Sequence, residues 1–285
     1  MKIAKFWERA DIEMPGRDGH PYTVTGWGWS NTDGEEAKQR ALDSARSIVA
    51  RLTAGKGFPE AYDYLERPRR EEVVEEVRSD DGELIAAVTR NHYGSLVLNT
   101  GSMMFIDIDL HLEAPFAGLM RSLKQMFGIA ALGPAEQAVA DIRSAAARFP
   151  SMTFRVYRTL AGFRVAVVGK RILPGSGESS ELFDAFGSDP LYVKLCTKQD
   201  SFRARLTPKH WRCGAARPLA KFPYETPQAR ASYDVWKQQY ERTCTAFAAC
   251  AFLEQIGTTP TTADHARLIR LHDSLARVDS QLPLA

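Results

Sequence analysis

The chain has 285 residues, 44% hydrophobic and 25% charged, with a formal net charge of +2, values that suit a globular protein with a substantial core. No apolar run approaches the roughly 20 residues that span a bilayer. The first nine residues, Met-Lys-Ile-Ala-Lys-Phe-Trp-Glu-Arg, lack the apolar stretch of a signal peptide, so the expectation is a cytoplasmic protein with no membrane partner.

In chain order, residues 22–30 are rich in β-branched and aromatic side chains and predict a strand. Thr32 followed by Glu35 matches a capping box. It opens a helix whose apolar stripe is Leu42, Ala45, Ile48, Val49 and Leu52, and Gly55 and Gly57 end it. A charge-rich stretch follows: residues 60–83 hold ten acids and four basic side chains. Val73, Val74 and Val77 predict a strand with one solvated face. Residues 84–90 and 95–100 flank a turn at 91–94 and predict a hairpin.

The run Met103-Met104-Phe105-Ile106-Asp107-Ile108-Asp109-Leu110 comes next. A strand has a period of two, so Asp107 and Asp109 project from one face. Two carboxylates side by side on an apolar strand repel each other unless a cation lies between them, and hard divalent ions prefer carboxylate oxygen. The pair is a candidate Mg²⁺ or Mn²⁺ site. His111 and Glu113 continue the alternation.

Two helices are expected next, one carrying Phe116, Leu119, Met120, Leu123 and Phe127, the other Val139, Ile142, Ala146 and Phe149. Residues 153–158 and 163–168 form a second expected hairpin around Thr159-Leu160-Ala161-Gly162. Residues 179–186 read as a short helix, and residues 191–196 and 201–206 as strands. A long helix is expected over 228–256, with Tyr233, Trp236, Tyr240 and Phe247 on its buried stripe, and a last helix over 262–278. His265 and His272 lie seven apart on it and read as boundary residues. The expected fold class is α+β, a mainly antiparallel sheet with helices packed on it, with a core domain over 1–207 and a C-terminal helical extension over 208–285. Those last helices are a candidate homo-oligomer interface.

Basic residues concentrate after the paired acids. Residues 141–171 hold seven Lys/Arg against Asp141, and residues 194–221 hold eight against Asp200. Arg158 and Arg164 on the second hairpin, and Arg203 and Arg205 two apart on a strand, are candidate phosphate-binding groups, because the guanidinium fork matches phosphate oxygens. Such a distribution suits nucleotide or nucleic acid. The four cysteines, Cys196, Cys213, Cys244 and Cys250, match no zinc spacing and read as packed thiols. There is no Gly-x-Ser-x-Gly elbow, no P-loop and no Gly-x-Gly-x-x-Gly fingerprint, which removes support for serine hydrolase, P-loop NTPase and Rossmann dehydrogenase chemistry.

An apolar strand ending in Asp-x-Asp, two helices, a hairpin with a basic turn and a further Asp, over about 80–200, together resemble the archaeo-eukaryotic primase-like (primase–polymerase) catalytic core. The resemblance implies metal binding by Asp107 and Asp109, a second motif at Thr159-Leu160-Ala161-Gly162-Phe163-Arg164, and a third acid at Asp184 or Asp189. Arg164 stands near the place of the family's histidine, which leaves open whether the chain is active. Two functions are therefore expected from this sequence: metal-dependent chemistry on nucleotides or nucleic acid, such as nucleotidyl transfer, or non-catalytic binding of nucleic acid or an acidic partner through residues 194–221.

Overall fold

The computed structural model describes residues 1–16, 19–57, 68–110 and 133–285. The expected helix carrying Phe116 to Phe127, together with His111 and Glu113, lies outside the described residues. The fold is α+β, built on three antiparallel sheets with six helices among the described residues. No helix among them is long and apolar enough to cross a membrane.

The first sheet is a ribbon of two strands, β1 (Phe6–Pro15) and β2 (Pro21–Ser30), in register from Phe6↔Ser30 to Pro15↔Pro21. Helix α1 (Gly34–Thr53) packs on both strands. Its N-cap is Asp33, which accepts a hydrogen bond from the Glu36 N–H at 2.8 Å, rather than Thr32. Its buried stripe is Ala37, Ala41 and Ala45 instead of the longer side chains expected. The reason lies in β2: a Cβ on Gly28 would sit 2.0 Å from the Ala37 carbonyl oxygen, and one on Gly26 2.3 Å from that of Ala41. Small residues on both surfaces let backbone meet backbone, so large side chains have no room there. Gly28→Val is expected to cost about 1–3 kcal/mol by overpacking, read from the urea midpoint. An unchanged midpoint would mean that α1 rides further from the ribbon.

The second sheet has the order β3 (Glu72–Arg78), β4 (Leu84–Arg90), β5 (Leu96–Thr100), β9 (Phe202–Arg205). The third has the order β10 (Cys250–Ile256), β7 (Thr153–Thr159), β8 (Gly162–Val168), β6 (Phe105–Asp109). In the third sheet Asp107 pairs with Arg164, and Arg164 with Tyr157. Residues opposite one another in antiparallel strands share a face. One face therefore carries Phe105, Asp107, Asp109, Arg164, Tyr157 and Arg155. It is covered by helix α6 (Ala263–Ala276), whose His272 ring lies 5.3 Å from that of Phe105 and 4.9 Å from that of Tyr157. The other face carries Ile106, Phe163, Val156 and Phe154. Phe154 meets Phe149, at the end of helix α2 (Pro134–Ala147), and Phe186, at the end of helix α3 (Gly177–Ala185). Full burial of each such side chain contributes about 1.5–3 kcal/mol.

Two expected elements are of the other type. Residues 191–196 belong to helix α4 (Pro190–Gln199), capped by Asp189, whose carboxylate accepts from the N–H groups of Leu191 and Tyr192. Asp-Pro is an N-cap followed by a proline at N1, the signal that outweighs the β-like run after it. The helix expected over 228–256 ends at Cys244: α5 (Pro227–Cys244) gives way to β10, which pairs with β7 from Cys250↔Thr159 to Ile256↔Phe154. The chain after residue 208 thus adds an edge strand to the core sheet as well as helices. All four cysteines are buried and none forms a disulfide, and burial pushes the Cys196 thiol up to about 11.

Candidate active site

The edge strands of the two larger sheets, β6 and β9, meet at a seam. The Tyr192 hydroxyl joins them, lying 2.9 Å from the Arg203 carbonyl oxygen and 3.0 Å from that of Phe105. Arg164 also crosses the seam, donating from Nη1 to the Arg205 carbonyl at 2.9 Å. Asp107 lies half-buried on β6 at this seam and Asp109 is exposed at the strand end. Among the described residues neither carboxylate is held in an ion pair.

Burial pushes the Asp107 carboxyl above the usual carboxylate range. Arg164 and Arg205 pull it back, while Asp109 and Asp189 push it further up. Asp107 thus stands between two cations and two acids. Arg205 has the complementary problem. Burial and the charges of Arg164 and Arg212 bring its guanidinium down to about 10, and its buried Nε finds no hydrogen-bond partner among the described residues. A buried N–H without an acceptor costs about 1–3 kcal/mol. Lys209 feels the same surroundings: burial, Arg205 and Arg212 lower its pKa, and Asp109 and Asp107 oppose them. Among the described residues the seam gathers three carboxylates, Asp107, Asp109 and Asp189, and four cations, Arg164, Arg205, Lys209 and Arg212, a small excess of positive charge that favours an anion.

Asp189 is the candidate third acid brought close: its backbone N–H donates to the Asp107 carbonyl at 3.1 Å, and the Ser188 hydroxyl donates to the same oxygen. Its carboxylate is occupied in capping α4. Asp184 is exposed on α3. Among the described residues no cluster of three or more His, Cys, Asp or Glu has the geometry of a metal site. Magnesium, however, is often held by one or two carboxylates together with waters and substrate phosphates. The two-carboxylate donor set of Asp107 and Asp109 fits a cation shared with a phosphate-bearing ligand.

Of the candidate arginines, Arg164 and Arg205 reach the seam. Arg158 does not: it pairs in register with Phe163, on the face opposite Asp107, and its guanidinium lies 4.6 Å from the centre of the Phe163 ring. Arg203 is committed elsewhere, to the buried Glu71, with Nη2 at 2.7 and 2.8 Å from its two oxygens. Within the basic run 194–221, Arg203 is thereby committed to a structural ion pair, while Arg205, Lys209 and Arg212 lie at the seam.

His272 is buried behind Arg164 instead of lying at a boundary. Arg164 Nη1 is 3.1 Å from His272 Nε2, and His272 Nδ1 is 2.8 Å from Asp273 Oδ1. A guanidinium only donates, so Nε2 accepts and the ring proton sits on Nδ1, where it is donated to Asp273. Arg155 closes the chain by donating to Asp273 Oδ2 at 2.9 Å and to the Tyr157 hydroxyl. This relay holds Arg164 in place from behind. No local signal pointed to it, because the histidine arrives from a helix more than 100 residues away.

No protein-family model matches the chain, and no curated protein or solved structure matches it.

Proposed function

We propose that the chain is a metal-dependent enzyme acting on nucleotides or nucleic acid at the β6–β9 seam, with nucleotidyl transfer as the reaction class. The observation that supports this most is the meeting of Asp107, which has no ion-pair partner among the described residues, with the buried Nε of Arg205, which has no hydrogen-bond partner among them. Asp107 and Asp109 hold Mg²⁺ or Mn²⁺ together with substrate phosphate, and Arg164 and Arg205 meet the phosphate oxygens. The cation, once bound, orients the phosphates and neutralises charge that develops on them. Arg164 arrives pre-oriented by His272, so little ordering remains for substrate binding to supply. The resemblance of motif order to the primase-like core agrees with this reading, with Arg164 in place of that family's histidine.

Calorimetric titration with Mn²⁺, in the presence of a nucleoside triphosphate, tests the proposal. Asp107→Asn with Asp109→Asn is expected to weaken Mn²⁺ binding by about tenfold or more, equivalent to about 1.4 kcal/mol. Unchanged Mn²⁺ affinity in a folded double variant rules the reading out.

A further inference from the structure

Two of the four buried thiols meet. Cys213 Sγ and Cys244 Sγ lie 3.8 Å apart, although 31 positions separate them in the chain. Cys196 lies instead beside Tyr192, and Cys250 beside Arg164 and His272. The encounter is framed on both sides. Trp236, Tyr240 and Cys244 follow one another at intervals of four residues, so they form one stripe on α5. Each of them meets the segment 208–216. Trp236 Nε1 donates to the Ala216 carbonyl at 2.8 Å, the Tyr240 hydroxyl donates to the Pro208 carbonyl at 2.6 Å, and Cys244 meets Cys213. The Trp236 and Tyr240 rings stack on each other with their centres 5.0 Å apart. Cys213 follows a single 3-10 turn, His210–Arg212, and its Sγ donates to the His210 carbonyl at 3.3 Å. Thiols held from both sides in this way stay in contact in the folded chain, a small side-chain rotation from bonding distance.

Burial shields both sulfurs from a bulky disulfide reagent, whose exchange needs a sulfur open to attack. A peroxide is small enough to reach them through a local opening of the segment. We propose that Cys213 and Cys244 are a redox pair, which a peroxide converts to a disulfide within the folded chain, fastening residues 208–216 to α5. In the first step the Cys213 thiolate attacks one peroxide oxygen. The O–O bond breaks, a sulfenic acid forms, and the departing hydroxide takes up the proton that Cys213 released. In the second, the Cys244 sulfur attacks that of Cys213. The S–S bond forms, the S–O bond breaks, and the hydroxide leaves with the Cys244 proton as a second water. The two sulfurs together lose the two electrons that the peroxide gains. Burial first pushes the Cys244 thiol above its ordinary range, with Cys213 adding to this and Tyr240 opposing it, which suits Cys244 to the second step rather than the first. The fastened segment includes Lys209 and Arg212, but its oxidation does not depend on what the seam binds.

The experiment uses the full chain, reduced, freed of reductant and exposed to hydrogen peroxide under native conditions with chelator present. Two of the four thiols are expected to disappear. Peptide mapping is expected to find Cys213 joined to Cys244, and the urea midpoint to rise and to return on treatment with dithiothreitol. Cys213→Ser is expected to form no internal disulfide and to show no reversible shift of the midpoint. If that variant does not fold, the peptide map and midpoint of the parent decide. The proposal is overturned if peroxide leaves all four thiols free, if it joins a different pair, if Cys213 and Cys244 are recovered only as sulfinic or sulfonic acids, or if the linked chain has no higher midpoint than the reduced one.

Discussion

Arg203→Met is expected to cost about 3–5 kcal/mol of folding stability, the range seen when one partner of a buried ion pair is removed. Glu71 is 6% exposed and the Arg203 side chain 11%. The pair sits in a closed network. Arg203 Nη1 donates to Asn99 Oδ1 at 2.6 Å, Asn99 Nδ2 donates to Thr89 Oγ1 at 2.9 Å, and the Thr89 hydroxyl donates to Glu71 at 2.6 Å. Burial alone would push the Glu71 carboxyl up, yet the charge and hydrogen bonds of Arg203, with Thr89, hold it below the usual range. Without the Arg203 cation, the buried carboxylate keeps the Thr89 hydroxyl and the weaker influence of the Arg69 charge. Urea unfolding of Arg203→Met, Glu71→Leu and the double variant checks this. The double variant is expected to lose less than Arg203→Met alone, since it leaves no orphan charge. A loss below about 1 kcal/mol for Arg203→Met would instead fit a solvated pair.

This network explains why Arg203 and Arg205, two residues apart and on one strand face, have different tasks. Alternation in the sequence places both side chains correctly on that face. What separates them is the neighbour across the sheet: Asn99 lies opposite Arg203 and Val97 opposite Arg205. Arg203 thus finds a polar partner and, behind it, Glu71, whereas Arg205 faces an apolar residue and turns its charge to the seam. Such differences depend on strand order, which no local pattern encodes. The same holds for Arg158 and Arg164. Their membership of one hairpin is plain in the residues around Gly162, but their opposite faces follow from a register that requires both strands at once. Asp107 and Asp109 were legible as a pair because they depend only on the period of a single strand. His272 was not, because burial by Phe105 and Tyr157 is a property of packing. The α4 helix was legible in principle, since Asp189-Pro190 is a local cap signal.

The seam and the relay behind it also carry opposite electrostatic signs. At the seam, Asp107 is pushed up by burial and by Asp109 and Asp189, so its charged form is less comfortable in the folded chain than in the unfolded one. Such a group destabilises the fold above its folded pKa, a cost common at sites that await a ligand. Behind it, Asp273 is held low: burial raises its carboxyl, but the His272 hydrogen bond and the nearby Arg155 outweigh that. Arg164 stands between the two.

Acidification is therefore expected to weaken the fold through His272 before any carboxylate is involved. Burial first, then Arg164 and Arg155, depress its pKa below 6.5, and the neighbouring Asp273 opposes them. The uncharged aromatic neighbours Phe105 and Tyr157, and the Cys250 thiol, offer no compensation for a charged ring. The unfolded chain binds this proton more readily than the folded one. Stability is thus fully present above about 6.5 and falls as pH drops through that value towards the lower folded pKa. Within this window the slope contributed by one histidine reaches about 1.4 kcal/mol per pH unit. His265 and His92, also depressed chiefly by burial, add slopes of the same sign. Asp273 adds its own loss only when the pH falls below 3.8. The share of His272 is isolated by His272→Gln, whose amide oxygen still accepts from Arg164 but does not titrate. Urea unfolding of both proteins between pH 7.5 and pH 5 is expected to give a shallower pH dependence for the variant, with the two curves diverging below about 6.5. Protonation is also expected to break the Arg164 contact, because Nε2 then becomes a donor facing a donor. Parallel curves would show that His272 takes up its proton equally in the folded and unfolded chains, and would overturn the expected depression.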